Sequence, residues 1–72
     1  METFNAEVKM DYDTFYIDYH PDNQYNNRFA VWSHKRTAVY VYSLQDAMNQ
    51  IDFYNDQDIE QALLMHESEN NQ

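Results

Sequence analysis

The sequence has no cysteine, no glycine and only one proline, Pro21. Without cysteine, neither disulfides nor thiolate zinc sites are available to stabilise a fold. Without glycine, Walker-type and dinucleotide-binding loops are excluded in their usual form, because they need glycine where the backbone approaches a phosphate. A chain of 72 residues is expected to form one small domain with a thin stability margin. That margin must come from aromatic residues, a dimer interface or a partner.

Long apolar runs are also missing. No segment approaches the ~20 consecutive apolar residues of a membrane-spanning helix. The N-terminal stretch METFNAEVK lacks the basic region and the apolar run of a signal peptide. The absence of cysteine fits a reducing compartment. These features predict a cytoplasmic protein with no membrane partner.

Positive charge is scarce and is confined to the first half of the chain. The cations are Lys9, Arg28, Lys35 and Arg36, against 13 acidic residues, for a formal net charge of −9. After Arg36 the sequence has seven acids and no lysine or arginine. Direct nucleic-acid binding needs the opposite balance, so none is expected. The acid excess indicates either a solubilising surface or a surface that docks on a basic partner.

Four segments alternate apolar and polar residues with the period of two that is typical of β-strands. These segments are residues 3–10, 14–20, 28–33 and 37–43. The longest connection, residues 20–27, contains Pro21 and several Asn and Asp residues, which predict a loop. Tyr25 within it is either an anchor folded back on the sheet or an exposed contact. In the first strand the residues predicted to face inward are Phe4, Ala6, Val8 and Met10. In the second strand, one face carries Phe15, Ile17 and Tyr19 and the opposite face carries Tyr16, Asp18 and His20.

The last two predicted strands carry apolar or amphipathic side chains on both faces. On one face lie Phe29, Val31, Val39 and Val41. On the other lie Trp32, Ala38, Tyr40 and Tyr42, joined by Tyr16 of the second strand. Two interpretations of this aromatic set remain. It forms a core, since aromatic residues supply large apolar area in a small protein, or it is exposed to a partner, since Tyr and Trp are enriched in interface hot spots.

Residues 44–54 have the pattern of an amphipathic helix. Its apolar stripe consists of Leu44, Ala47, Met48, Ile51 and Tyr54. Ser43 is predicted to be the N-cap, whose hydroxyl accepts a hydrogen bond from a first-turn N–H, and Asp46 stands where a capping box has its acid. The stripe and the face with Phe29, Val31, Val39 and Val41 are predicted to form the core.

Beyond the stripe, residues 55–58 interrupt the helical pattern. Either Asp56 caps a second helix, or the first helix continues with a bend. Residues 67–72 are predicted to be a disordered C-terminal tail, which leaves residues 1–66 as a single domain. The whole pattern predicts an α+β fold, a four-stranded antiparallel meander with one or two C-terminal helices packed on one face.

Catalytic and metal-binding patterns are weak. The spacing Asp18-x-His20-x-Asp22 places three potential ligands on one face of an extended strand. Pro21 interrupts that strand, however, and short polar clusters of this kind commonly begin a loop, so no metal site is predicted. No serine stands in a nucleophile elbow, and a single-sheet domain has little volume for a pocket that shifts a carboxylate pKa. The chain is predicted not to be an enzyme and to need no cofactor; an enzyme using His20 and its neighbours is the third hypothesis.

The function predicted from these features is that of a small acidic protein that binds another protein and inhibits or regulates it. It would occupy a basic nucleic-acid-binding surface, in the manner of inhibitors encoded by phages and mobile elements, because carboxylates along a helix imitate phosphates. The alternative is an obligate homodimer formed through the aromatic sheet face. The predicted partner-binding residues are Tyr16, Trp32, Tyr40, Tyr42, Asp46, Asp52, Asp56, Asp58 and Glu60.

Overall fold

The computed structural model describes residues 5–70, and side chains within residues 5–66. Four strands precede one helix: β1 (Asn5–Lys9), β2 (Thr14–Tyr19), β3 (Phe29–Ser33), β4 (Arg36–Val41) and α1 (Leu44–Asn70). The strands are adjacent in the order β1-β2-β3-β4, and every neighbouring pair is antiparallel. The predicted α+β meander is therefore confirmed, with a single helix. The predictions for Thr3 and Phe4 lie outside the described residues.

The core lies between α1 and one face of the sheet. Phe15, Ile17 and Val31 are at most 1% exposed, and so are Ala47 and Ile51 of the helix. Around them pack the half-buried residues Ala6, Val8, Met10, Phe29, Val41, Met48 and Tyr54. The period-two alternation predicted the inward positions of Ala6, Val8, Met10, Phe29 and Val41, because successive side chains of a strand point to opposite faces.

The helix begins as predicted. The Ser43 hydroxyl accepts a hydrogen bond from the Asp46 N–H at 3.0 Å, which satisfies a first-turn donor that has no partner within the helix. Leu44, however, is 44% exposed, so its predicted place in the core is wrong. It is the first helical residue and lies almost one turn before Ala47, where the packing of α1 against the core begins.

α1 runs without interruption through residues 55–58, so a second helix capped by Asp56 is wrong. The segment contains no glycine or proline that would end a helix, and Asp58 is accommodated because it faces the sheet. The helix backbone is described to Asn70, residues 71 and 72 lie outside the described residues, and the tail at 67–72 stays a prediction. Within residues 5–70, no helix combines the length and the apolar character needed to cross a membrane.

The helix is much longer than the sheet it covers. Its 27 residues span about 40 Å, whereas strands of five or six residues span about 17–20 Å. The C-terminal part of α1 therefore extends past the strands. Its apolar residues Leu63, Leu64 and Met65 are all more than half exposed as a result.

The turn between β3 and β4 changes the register of the sheet. His34 and Lys35 form a two-residue turn, a loop length that usually requires positive φ angles. No residue in the described part of the chain has a positive φ, and the ladder shows a register shift between Val31 and Ser33. As a consequence Arg36, which lies between the strands predicted at 28–33 and 37–43, is the first residue of β4 and is on the same face as Val39 and Val41.

Candidate functional site

One face of the sheet is not covered by α1 or by any other element within residues 5–70. Tyr16 and Trp32 lie opposite each other on β2 and β3, and their rings stack with centroids 4.5 Å apart and planes 23° from parallel. The His34 ring meets both of them edge-on, at 5.6 and 5.7 Å. We call this uncovered surface, with Tyr16, Trp32, His34 and Tyr40, the open face.

The indole of Trp32 is held in position by a carboxylate. Its Nε1–H donates to Asp18 Oδ2 at 2.7 Å, and Asn5 Nδ2 donates to Asp18 Oδ1 at 2.6 Å. Both oxygens of Asp18 therefore already accept hydrogen bonds. Asp18 is engaged with Asn5 and Trp32 and not with His20 or Asp22, the other two residues of the metal-like spacing. No group of three potential metal ligands is found among the described side chains. The network instead orients the aromatic pair on the open face.

The other predicted tyrosines lie near one end of the sheet. Tyr40 is opposite Ala30, which places it on the open face, and it is half exposed. Tyr42 follows the end of β4 and is 70% exposed. Tyr25, in the loop between β2 and β3, is 65% exposed. Of the two interpretations of Tyr25, the structure therefore favours an exposed contact.

The predicted acidic residues of the helix fall into two groups. Residues turn by about 100° along a helix, so Asp52, Asp56 and Glu60 lie around the side of α1 away from the sheet. All three are exposed, and so is Asp46 in the first turn. Spaced four residues apart, they rise by about 6 Å from one to the next. We call Asp52, Asp56 and Glu60 the acidic row.

Asp58 belongs to the interior side of the helix, unlike the acidic row. Its Oδ1 accepts a hydrogen bond from Arg36 Nη2 at 2.9 Å and its Oδ2 accepts from Arg36 Nη1 at 3.4 Å. Arg36 Nη1 also donates to Asp13 Oδ2 at 3.1 Å. These bonds, that to Asp58 foremost and that to Asp13 next, raise the pKa of Arg36 against the opposing effect of desolvation. Asp58 is thus engaged within the fold.

Arg36 has a role at the sheet–helix interface that was not predicted from the sequence. Its guanidinium carbon lies 4.4 Å from the Tyr54 ring centroid and 5.5 Å from that of Phe15, and these two rings stack at 5.7 Å. Planar guanidinium groups bind carboxylates bidentately and stack on aromatic faces. The sequence feature that could have indicated this role is Asp58. It follows Ile51 by seven residues and therefore lies on the same, buried side of the helix. An acid there requires a cation, and Arg36 supplies it.

The two candidate surfaces lie on opposite sides of the molecule. The open face is on the outside of the sheet, and the acidic row is on the outside of the helix, with the core between them. One flat partner surface cannot contact both. Comparisons with protein-family models, with curated proteins and with solved structures found no match to this chain. The functional argument therefore depends on what each surface can bind.

Proposed function

We propose that this chain is a non-catalytic protein-binding module whose acidic row docks on a basic surface of a partner and thereby inhibits or regulates it. The partner surface is of the kind that binds nucleic acid, where arginines and lysines follow a phosphate backbone. The observation that carries the proposal is the exposed, uncompensated position of Asp52, Asp56 and Glu60.

The acidic row is unfavourable for the helix on its own. Like charges four residues apart destabilise a helix by about 0.2–0.5 kcal/mol per pair, and the row contains two such pairs, Asp52 with Asp56 and Asp56 with Glu60. The chain has no lysine or arginine after Arg36 to offset them, and the last turn of the helix has no basic residue. Local costs of this kind are expected at functional surfaces. Solubility alone would not need the charges to be aligned.

Charge complementarity would act mainly on the rate of encounter. A line of carboxylates attracts a basic groove over distances of about 8 Å at physiological salt, and steering of this kind raises association rates. Asp58 takes no part, because its carboxylate is bound to Arg36. The docking residues are therefore Asp52, Asp56 and Glu60, with Asp46 at the start of the same helix.

The test compares two double variants of equal net charge. Asp52→Asn with Asp56→Asn neutralises most of the acidic row, and Glu7→Gln with Asp11→Asn removes one exposed acid from β1 and one from the turn after it. The wild-type chain serves as bait for nucleic-acid-processing enzymes, and binding to a purified captured enzyme is followed by surface plasmon resonance at two salt concentrations. We expect the row variant to associate up to about tenfold more slowly at low salt, with the control variant close to wild type.

Competition with nucleic acid completes the test. If the chain occupies a nucleic-acid-binding surface, duplex DNA or RNA releases the captured enzyme and the chain inhibits that enzyme's activity. Equal kinetics for the two double variants would refute the role of the acidic row. Simultaneous binding of nucleic acid and the chain would refute occupation of the same surface.

The open face supports a second candidate, an obligate homodimer. Its stacked Tyr16 and Trp32 present aromatic area that a second sheet can cover. Light scattering of the chain alone separates the candidates. A monomer at micromolar concentration contradicts the obligate homodimer, whereas a dimer that dissociates on substitution of Trp32 favours it over the acidic row.

A further inference from the structure

A cleft lies at the end of the sheet where β2 leads into the long loop. It has a volume of about 460 Å³, within the range of roughly 300–1,000 Å³ that is usual for small-molecule sites. The residues that line it are His20, Asp22, Asn23, Tyr25, Asn27 and Tyr40. This cleft is separate from the acidic row, and nothing inferred about it depends on what the helix binds.

Hydrogen bonds hold the loop that forms the cleft in one conformation. Asn23 is at the centre: its Nδ2 donates to the Asn27 carbonyl at 3.0 Å, and its Oδ1 accepts from the Tyr25 N–H at 3.1 Å. Arg28 Nε donates to the Asn23 carbonyl at 3.2 Å, and the His20 N–H donates to the Arg28 carbonyl at 2.7 Å. A site built in this way is preorganised, which lowers the entropic cost of binding.

The walls of the cleft combine aromatic rings with negative charge. The rings of His20 and Tyr40 have centroids 6.2 Å apart and planes inclined by 49°, so they form an open wedge. Tyr25 supplies a third ring from the loop. The Asp22 carboxylate makes no hydrogen bond or ion pair with the described residues. No lysine or arginine is among the described residues that line the cleft.

We propose that this cleft binds an alkylammonium cation, either a small quaternary amine or the side chain of a lysine, methylated or not. Such cations are attracted to the faces of aromatic rings, and cages of aromatic residues are the usual way in which proteins recognise them. Asp22 adds a direct charge attraction, and a chain of net charge −9 concentrates cations near its surface. Neutral ligands such as sugars also stack on aromatic rings, but they make no use of the unpaired carboxylate.

The probe is choline, compared with its neutral isostere 3,3-dimethyl-1-butanol, in NMR titrations of the full chain. A trimethyllysine-containing peptide and the same peptide with unmodified lysine identify the source of the cation. We expect choline to shift the signals of Tyr25 and Tyr40 but not the indole N–H of Trp32. The neutral isostere should bind about tenfold more weakly, because it lacks the cation–π and ionic attraction.

Matched variants assign the effect to named side chains. Tyr40→Leu and Asp22→Asn should each weaken choline binding by about threefold or more, and Tyr40→Phe should retain it. Tyr12→Leu is the control, since Tyr12 is also about half exposed but lies in the β1–β2 turn, outside the cleft. Equal binding of the neutral isostere would overturn the proposal in favour of a neutral-ligand cleft. Absence of any choline shift at tens of millimolar would overturn it outright.

Discussion

The two faces of the sheet are made by the same strands but have different partners. On the covered face, Phe15, Ile17 and Val31 are packed against the helix and are almost fully buried. On the open face, Tyr16 and Trp32 pack only on each other and on their neighbours. Every aromatic residue of the open face carries a polar group, such as the indole N–H that donates to Asp18. One helix covers one face, so the side chains of the other face must be compatible with contact with water.

The largest effect is expected on the covered face, from Ile51→Ala. Ile51 has no exposed surface and joins the helix to the strands. Its truncation removes apolar burial and leaves a cavity, at a cost of about 2–5 kcal/mol, which would unfold much of a domain this small. Chemical denaturation followed by circular dichroism measures the loss. A variant with an unchanged denaturation midpoint would show that α1 is not packed on the sheet.

The next largest effect is expected for Arg36→Leu, which breaks the polar link across the covered face. Leucine retains apolar contact with Phe15 and Tyr54 but leaves Asp13 and Asp58 without their cation, so the free energy of unfolding should fall by about 2–3 kcal/mol. Arg36→Lys keeps the charge but not the planar fork, and should lose about half as much. The same denaturation experiment checks both variants. Equal losses for Leu and Lys would mean that the charge alone contributes nothing, whereas a Lys variant as stable as the wild type would mean that the bidentate geometry contributes nothing.

Trp32→Ala tests the open face, with an effect on association rather than on folding. If Trp32 is at an interface, its truncation weakens binding to the partner or to a second copy by about 2 kcal/mol or more. The fold should survive, because Trp32 is neither in the core cluster between sheet and helix nor among the residues packed against it. Calorimetry of binding and thermal unfolding are measured on the same sample, with Trp32→Phe as the milder variant. Outright unfolding of Trp32→Ala would show that this residue belongs to the core and that both faces of the sheet are needed for folding.

The smallest effect is expected for Tyr42→Ser. Tyr42 packs neither in the core nor in the aromatic stack of the open face. Tyr42 is 70% exposed, and surface substitutions usually change stability by no more than about 0.5 kcal/mol. Its thermal midpoint should therefore match that of the wild type. A destabilisation as large as that of Arg36→Leu would reveal packing around residue 42 that its exposure does not indicate.

Alternation and capping made most of the fold predictable from the sequence. The period-two pattern identified all four strands, although not the inward position of Arg36, and Ser43 marked the start of the helix. The positions of single residues were harder to predict where tertiary contacts override the local sequence pattern. The polar residues 55–58 suggested an interruption, yet Asp58 lies on the buried side of a continuous helix because Arg36 neutralises it.

The candidate sites were less predictable than the fold, because they depend on contacts between distant residues. The open face could be predicted from alternation, because the period of two places Tyr16, Trp32 and Tyr40 on the same face of an antiparallel meander. Arg36 was missed because a register shift in the β3–β4 hairpin moves it to the covered face. The cleft was missed because hydrogen bonds within a loop, such as those of Asn23, bring His20, Tyr25 and Tyr40 around one space. No periodic pattern in the sequence indicates that these three side chains lie close together.

The position of Arg36 also has a consequence for the speed at which the native state is lost. Neighbouring strands of the meander pair through connections of nine residues or fewer, which close early in folding. The bonds of Arg36 instead join it to Asp13, 23 positions earlier, and to Asp58, 22 positions later. The pair with Asp58 forms only once the helix has docked on the sheet. Interactions absent from the folding transition state slow unfolding and leave the folding rate nearly unchanged. A loss of 2 kcal/mol at Arg36 would therefore appear as about 30-fold faster unfolding, and the lifetime of the folded chain would depend on one guanidinium group.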